Sequence, residues 1–136
     1  MPYSIQKTPD LIKVTYWGTL TNDDILKVSR DAIIIDGRIV NPVDRIEDMR
    51  KLESIHLGFN ELSRLAQSLL TLQLPRVVKT AVLVSGPLQF GIARMFQTIL
   101  HHPKMEIRIF PSEDEARRWL LSEDKDKAQE TSLRPE

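Results

Sequence analysis

Cysteine is absent from the chain. Disulfide frameworks, thiolate nucleophiles and cysteine-bearing zinc sites are thereby excluded, and the composition agrees with a reducing compartment. Neither sign of charge is in excess: Lys+Arg and Asp+Glu both number 19, for a formal net charge of +0. A domain without a positive surplus lacks the electrostatic footprint of a general nucleic-acid or anionic-membrane binder. Aromatic residues are scarce at 6%. No apolar run approaches the ~18 residues that a transmembrane helix needs. The opening MPYSIQKTPD has no apolar core of signal-peptide length, so the expectation is a cytoplasmic protein without a membrane span.

Chemical motifs are equally sparse. The three histidines, His56, His101 and His102, have no HExxH spacing, so no metal and no cofactor is expected. Ser85 is not in a G-x-S-x-G elbow. Glu47 and Asp48 are adjacent on a presumed strand, where side chains alternate, so they cannot act as a carboxylate pair. No catalytic set emerges, and the expectation is a protein that is not an enzyme.

What is present is periodicity. A chain of 136 residues with 41% hydrophobic and 28% charged residues suits one soluble domain with a continuous core. Tyr3 to Lys7 and Leu11 to Trp17 read as strands around the turn Thr8-Pro9-Asp10, and Gly18 closes the second. Thr21 to Asp24 resembles a helix start, with Ile25, Val28, Ala32 and Ile33 as the inner stripe of a helix over residues 22–34. Val43 to Met49 reads as a third strand. Phe59 to Leu72 is an amphipathic helix with Leu62, Leu65, Ala66, Leu69 and Leu70 inward, Gly58 at its cap and Glu61 three residues later.

Val77 to Val84 is nearly all apolar, the composition of a strand covered on both faces, and it is expected to be the central one. A helix from Ser85-Gly86-Pro87 to about His102 follows, with the histidine pair near its negative C-terminal end. Met105 to Phe110 is the last strand, and Ser112 to Glu115 opens a final helix anchored by Ala116, Trp119 and Leu120. The order ββαβαβαβα calls for an α/β domain over residues 1–121 with a mixed, mostly parallel sheet. The remainder, residues 122–136, is polar and aperiodic and is expected to be a disordered tail.

In such a sheet the loops at the carboxyl ends of strands are the default site. These are Gly18 to Thr21, Arg50 to Gly58, Ser85 to Phe90 and Phe110 to Ser112. Ile92, Ala93, Phe96, Ile99 and Leu100 share one helical face and belong to the core. Phe90, Arg94, Gln97 and His101 recur at i, i+4, i+7 and i+11 on the opposite face, where an exposed aromatic over a guanidinium is a common partner anchor. Alternatively, Phe90 precedes the helix and tucks under a loop while Arg94 pairs with a carboxylate such as Asp48. Asp48, at its strand's end, can orient Arg50 or Arg94. Ser85 stands at a strand-to-helix junction whose amides suit an anion, although Pro87 removes one donor and helix entry alone explains the sequence. Arg76, Lys79, Lys104 and Arg108 can form a basic strip, but it lacks the exposed aromatics that nucleic acid requires.

Four segments, VDRIEDMR, GFNEL, FGIARMFQ and IRIFPSEDEARRWL, together make the chain resemble the SpoIIAA-like group of small STAS-fold proteins. The resemblance runs from Tyr3 to Leu121 and implies a five-stranded sheet with about four helices packed against it. It does not imply an enzyme. The better-studied relatives are anti-sigma factor antagonists, in which a serine at the start of the helix after the third strand is phosphorylated to switch partner binding. Leu57 and Gly58 stand in that neighbourhood here and cannot be phosphorylated, and Ser54 lies earlier. The implied role is a regulatory domain that binds an unidentified protein partner without the phospho-switch. A second expectation, by analogy with lipid carriers resembling the CRAL-TRIO branch, is a carrier or sensor of a small apolar ligand between helices and sheet. Exposed helices and sheet edges also leave a homodimer open.

Overall fold

The computed structural model describes residues 3–27, 43–56, 58–70, 74, 76–100 and 102–122. Five strands form one sheet in the sequential order β1 (Tyr3–Lys7), β2 (Leu11–Thr21), β3 (Asp44–His56), β4 (Val78–Leu83) and β5 (Met105–Phe110). The β1–β2 hairpin is antiparallel, and β2 to β5 run parallel. Parallel neighbours require crossovers. The crossovers are α1, helical over residues 22–27 in its described part, α2 (Phe59–Leu70) and α3 (Pro87–Ile99), and α4 (Glu113–Leu121) follows β5. The mixed five-stranded α/β architecture expected from the periodicity is therefore the one observed. No helix among the described residues is long and apolar enough to cross a membrane.

Two apolar layers flank the sheet. On one face Ile12, Val14, Tyr16 and Leu20 of β2 join Met49, Leu52, Val82 and Val84 beneath Ala93 of α3. On the other, Ile46, Ala81 and Leu83 pack under Ala116 and Trp119 of α4. Every residue of β4 is buried, as a strand clad by helices on both faces must be. It is an internal strand, but β3, not β4, holds the middle of the order.

Three boundaries differ from expectation, and the two in the sheet share a cause. β2 does not close at Gly18: the strand passes through it at φ 69 and continues to Thr21. β3 does not end at Met49 but runs on to His56. Between Thr15↔Asp48 and Trp17↔Lys51, and again between Gly18↔Leu52 and Thr19↔Ser54, β3 advances one residue more than β2. Each such bulge shifts the alternation by one, so the apolar pattern of β3 loses its period of two and no longer looks like strand. The segments taken as loops, residues 18–21 and 50–56, are instead a two-stranded extension that outlasts β4. Finally, α3 ends at Ile99 with Leu100 as its cap, short of His102. His102 lies in the following turn, where its Nδ1 accepts the Lys104 N–H at 2.9 Å. That bond accounts for its place there, rather than the helix dipole. Residues 28–34, the side chains of Leu69 and Leu70, residues 71–73 and the tail 123–136 lie outside the described residues.

The final helix is fastened at both ends. At its start the Ser112 Oγ accepts the Glu115 N–H at 3.3 Å, and three acidic residues occupy the first turn, where the helix dipole favours them. At its end the Nζ of Lys79, only 4% exposed, donates to Trp119 O at 2.9 Å, Ser122 O at 2.8 Å and Ser122 Oγ at 3.0 Å. It also stands 5.3 Å from the Trp119 ring centroid, as does the Arg108 guanidinium. Lys79 and Arg108 are thus engaged beneath α4, and the basic strip drawn through them does not form. Removing the ammonium leaves terminal carbonyls without their charged donor, a loss of about 2 kcal/mol. Lys79→Met is expected to lower stability by that amount in equilibrium urea unfolding, whereas a variant of the exposed Lys51 is expected to leave the midpoint unchanged.

Candidate functional site

The segments following β2, β3, β4 and β5 all leave the carboxyl ends of their strands, so α1 to α4 all start toward the same end of the sheet. Two of them are tied directly, because the Gly58 N–H at the cap of α2 donates to Asn22 Oδ1 of α1 at 3.1 Å. Large apolar side chains remain exposed on these first turns: Leu26, Phe59 at 59%, Leu88 at 43% and Phe90 at 48%.

The structure divides the sequence candidates into two groups. Phe90 and Arg94 are exposed on the outer face of α3. The helix begins at Pro87, with the Phe90 N–H donating to Gly86 O at 3.0 Å, so the alternative in which Phe90 precedes the helix under a loop does not hold. Nor does Arg94 reach Asp48. Its Nη1 donates to Gln97 Oε1 at 2.7 Å, and the Gln97 Nε2 in turn donates to Ile107 O at 2.7 Å. Gln97 therefore anchors Arg94 to the rim of β5 instead of leaving it under the Phe90 ring. His101 lies outside the described residues.

The second group meets where β4 stops. The Arg50 guanidinium forks onto Asp48, with Nε–Oδ1 and Nη2–Oδ2 both 2.9 Å, and the Arg50 N–H adds a third bond to Oδ1 at 3.1 Å. On the same face Glu113 binds Lys13 at 3.0 Å and Arg117 at 2.7 Å, and lies 3.6 Å from Arg50. Carboxylates and cations alternate across β2, β3 and α4. Ser85 belongs to the backbone side of this junction: its Oγ donates to Arg50 O at 2.9 Å. One turn later the Gln89 Nε2 donates to Leu52 O at 2.8 Å. Gln89 is 7% exposed and was not among the sequence candidates, because a glutamine at the start of a helix normally reads as a solvated residue. Its spacing from Gly86, three residues as in a capping box, was the available signal.

Glu47 points the opposite way from Asp48 and accepts the Tyr16 hydroxyl at 2.6 Å. Burial first, and then the charge and hydrogen bond of Glu47, push the Tyr16 hydroxyl well above the usual phenol range, so it stays protonated as a donor. Burial alone pushes the Asp48 carboxyl up. The side-chain and backbone bonds from Arg50, with the charges of Arg50 and Lys13, together outweigh it and hold the group below the usual carboxylate value. Glu113 follows the same balance, desolvation being overcome by Lys13 and Arg117. Among the described residues no cluster of His, Cys, Asp and Glu is arranged to hold a metal ion.

No family model matches the chain, and no curated protein matches it. Among solved structures it is similar to an uncharacterized DUF3478-family protein with a SpoIIAA-like fold from Shewanella loihica PV-4, at 18% identity and a TM-score of 0.57, over 87% of this chain and 91% of that one. It also matches the phosphorylated Bacillus cell-fate determinant SpoIIAA at 14% identity and a TM-score of 0.46, over 86% of this chain and 97% of that one. The chain has a SpoIIAA-like fold.

The lowered carboxylates set an acid limit. A carboxyl whose folded value lies below its unfolded value contributes stability in full above the ordinary range, near pH 4, and loses it as pH falls through the folded value. The melting temperature is expected to drop between about pH 5 and about pH 3. In Asp48→Asn and Glu113→Gln variants that drop is expected to be shallower. Parallel melting curves of variants and wild type across this window would refute the assignment.

Proposed function

We propose that the protein is a regulatory domain of STAS type that acts by binding another protein, without chemistry of its own. The observation that carries this reading is the exposure of large apolar side chains near the starts of the helices. Leu26, Phe59, Leu88 and Phe90 stand in water toward the carboxyl end of the sheet, and one turn beyond Phe90 on α3 lies Arg94, held in place by Gln97. Rigid aromatics beside an anchored guanidinium are the residue types that dominate partner binding, because they bury much area while losing little side-chain freedom.

Asp48, Arg50 and Ser85 support this surface from behind. Their hydrogen bonds close the strand end on which α3 starts, and so fix the angle at which Phe90 and Arg94 are presented. The layer between α3 and the sheet is filled by Met49, Leu52, Val82, Val84 and Ala93, which favours a partner on the surface over an apolar ligand held within. Gly58 caps α2 where the phosphorylated serine of SpoIIAA-like regulators is expected, so the binding mode proposed does not depend on phosphorylation there.

The double variant Phe90→Ala, Arg94→Ala tests the reading in affinity capture from native lysate. Both side chains are exposed, and the variant is expected to keep its circular dichroism while losing the specific partner. A partner set identical to that of the wild type would remove this face from the account.

A further inference from the structure

Among the described residues, the face of the sheet under α4 is only partly covered. α4 packs on β4 and β5, and the neighbouring strip over β2 and β3 ends in Trp17, whose side chain is 42% exposed. Along β2, Ile12, Val14 and Tyr16 are buried on the α3 side, so Lys13, Thr15 and Trp17 point to the α4 side. Trp17 pairs in register with Lys51, and because the adjacent Leu52 is buried on the α3 side, Lys51 stands beside the indole.

Charge on this strip is layered. The carboxylates lie deep: the Asp48 side chain is 8% exposed and that of Glu113 is 25% exposed. Of the cations bound to them, Lys13 at 22% lies as deep as Glu113, while Arg50 at 35% and Arg117 at 49% lie further out. Lys51 is exposed and has no ion pair among the described residues. A partner approaching the strip meets guanidinium and ammonium groups around an indole, while the compensating carboxylates are already occupied.

We propose that this strip, centred on Trp17 and Lys51 and bordered by Lys13, Arg50 and Arg117, is a second docking surface that takes an acidic peptide segment of a partner protein. Charge complementarity selects the occupant. Carboxylates of the peptide pair with the outer cations, and an apolar side chain lies on the indole. A nucleic acid is disfavoured because a row of aromatics for successive bases is missing and the whole chain is neutral. The surface lies on the opposite face of the sheet from Phe90 and Arg94, so it stands or falls independently of the role given to α3.

Fluorescence anisotropy with the full chain tests it, using a fluorescein-labelled dodecapeptide of glutamate and threonine with one central phenylalanine. Binding is expected to weaken as salt is raised, and by about fivefold or more in Trp17→Ser and in Lys51→Glu. The Phe90→Ala, Arg94→Ala variant is expected to bind as wild type does. Trp17 and Lys51 are both exposed, so circular dichroism of the two variants is expected to be unchanged. Equal binding by those variants, equal binding of the peptide with glutamine in place of glutamate, or tighter binding of a labelled oligothymidylate would each overturn the proposal.

Discussion

A parallel strand that outlasts its neighbour leaves carbonyls along its edge with no strand to satisfy them, and buried orphan acceptors cost more than most contacts return. β3 is such a strand. Once β4 ends at Leu83, the edge of β3 is taken over by side chains from the following helix start, Ser85 on Arg50 O and Gln89 on Leu52 O. The position of α3 is fixed by this requirement as much as by its apolar face. The rest of the carboxyl end depends on it, because the tilt of α3 sets where Leu88, Phe90 and Arg94 stand and how α2 can lie against it.

The bulges are the other half of the same constraint. By inserting one residue into β3 between Asp48 and Lys51, the first of them turns Arg50 back onto Asp48 while returning Leu52 to the buried layer. One strand thus delivers a charged fork to one face and an apolar plug to the other. Thr19 and Ser54, with hydroxyls 2.6 Å apart, bind the extension beyond the second bulge. Gly18 suits this place because φ there is positive, a region that side chains with a Cβ rarely enter.

Where local pattern and tertiary environment agree, the sequence was a reliable guide. The run from Val78 to Leu83, the alternation in Met105 to Phe110 and the capping box from Ser112 to Glu115 each carry their own signal, and each element formed at the residues that carry it. The outer and inner faces of α3 were legible for the same reason. The extension of β3 was not, because a bulge erases the period by which a strand is recognised. Lys79 was placed on a basic strip because a lysine inside an apolar run gives no hint that a helix from forty residues later will end above it. Gln89 was passed over because its value depends on a carbonyl in another strand. Within the candidate surface, residue type pointed to Phe90, Arg94 and Gln97 and to Asp48, Arg50 and Ser85, while the bond from Ser85 to the Arg50 carbonyl and the part played by Gln89 came only from the fold.

The ammonium of Lys79 lies under the last turn of α4, enclosed by the carbonyls it binds and the Trp119 ring. It is shut away from reagents for as long as that helix stays seated. Surface amines such as Lys51 acylate at once, but this one must wait for the C-terminal helix to lift. The rate at which Lys79 takes up an acyl label, set against that of a surface amine, is therefore a measure of the fraction of time the protein spends open there.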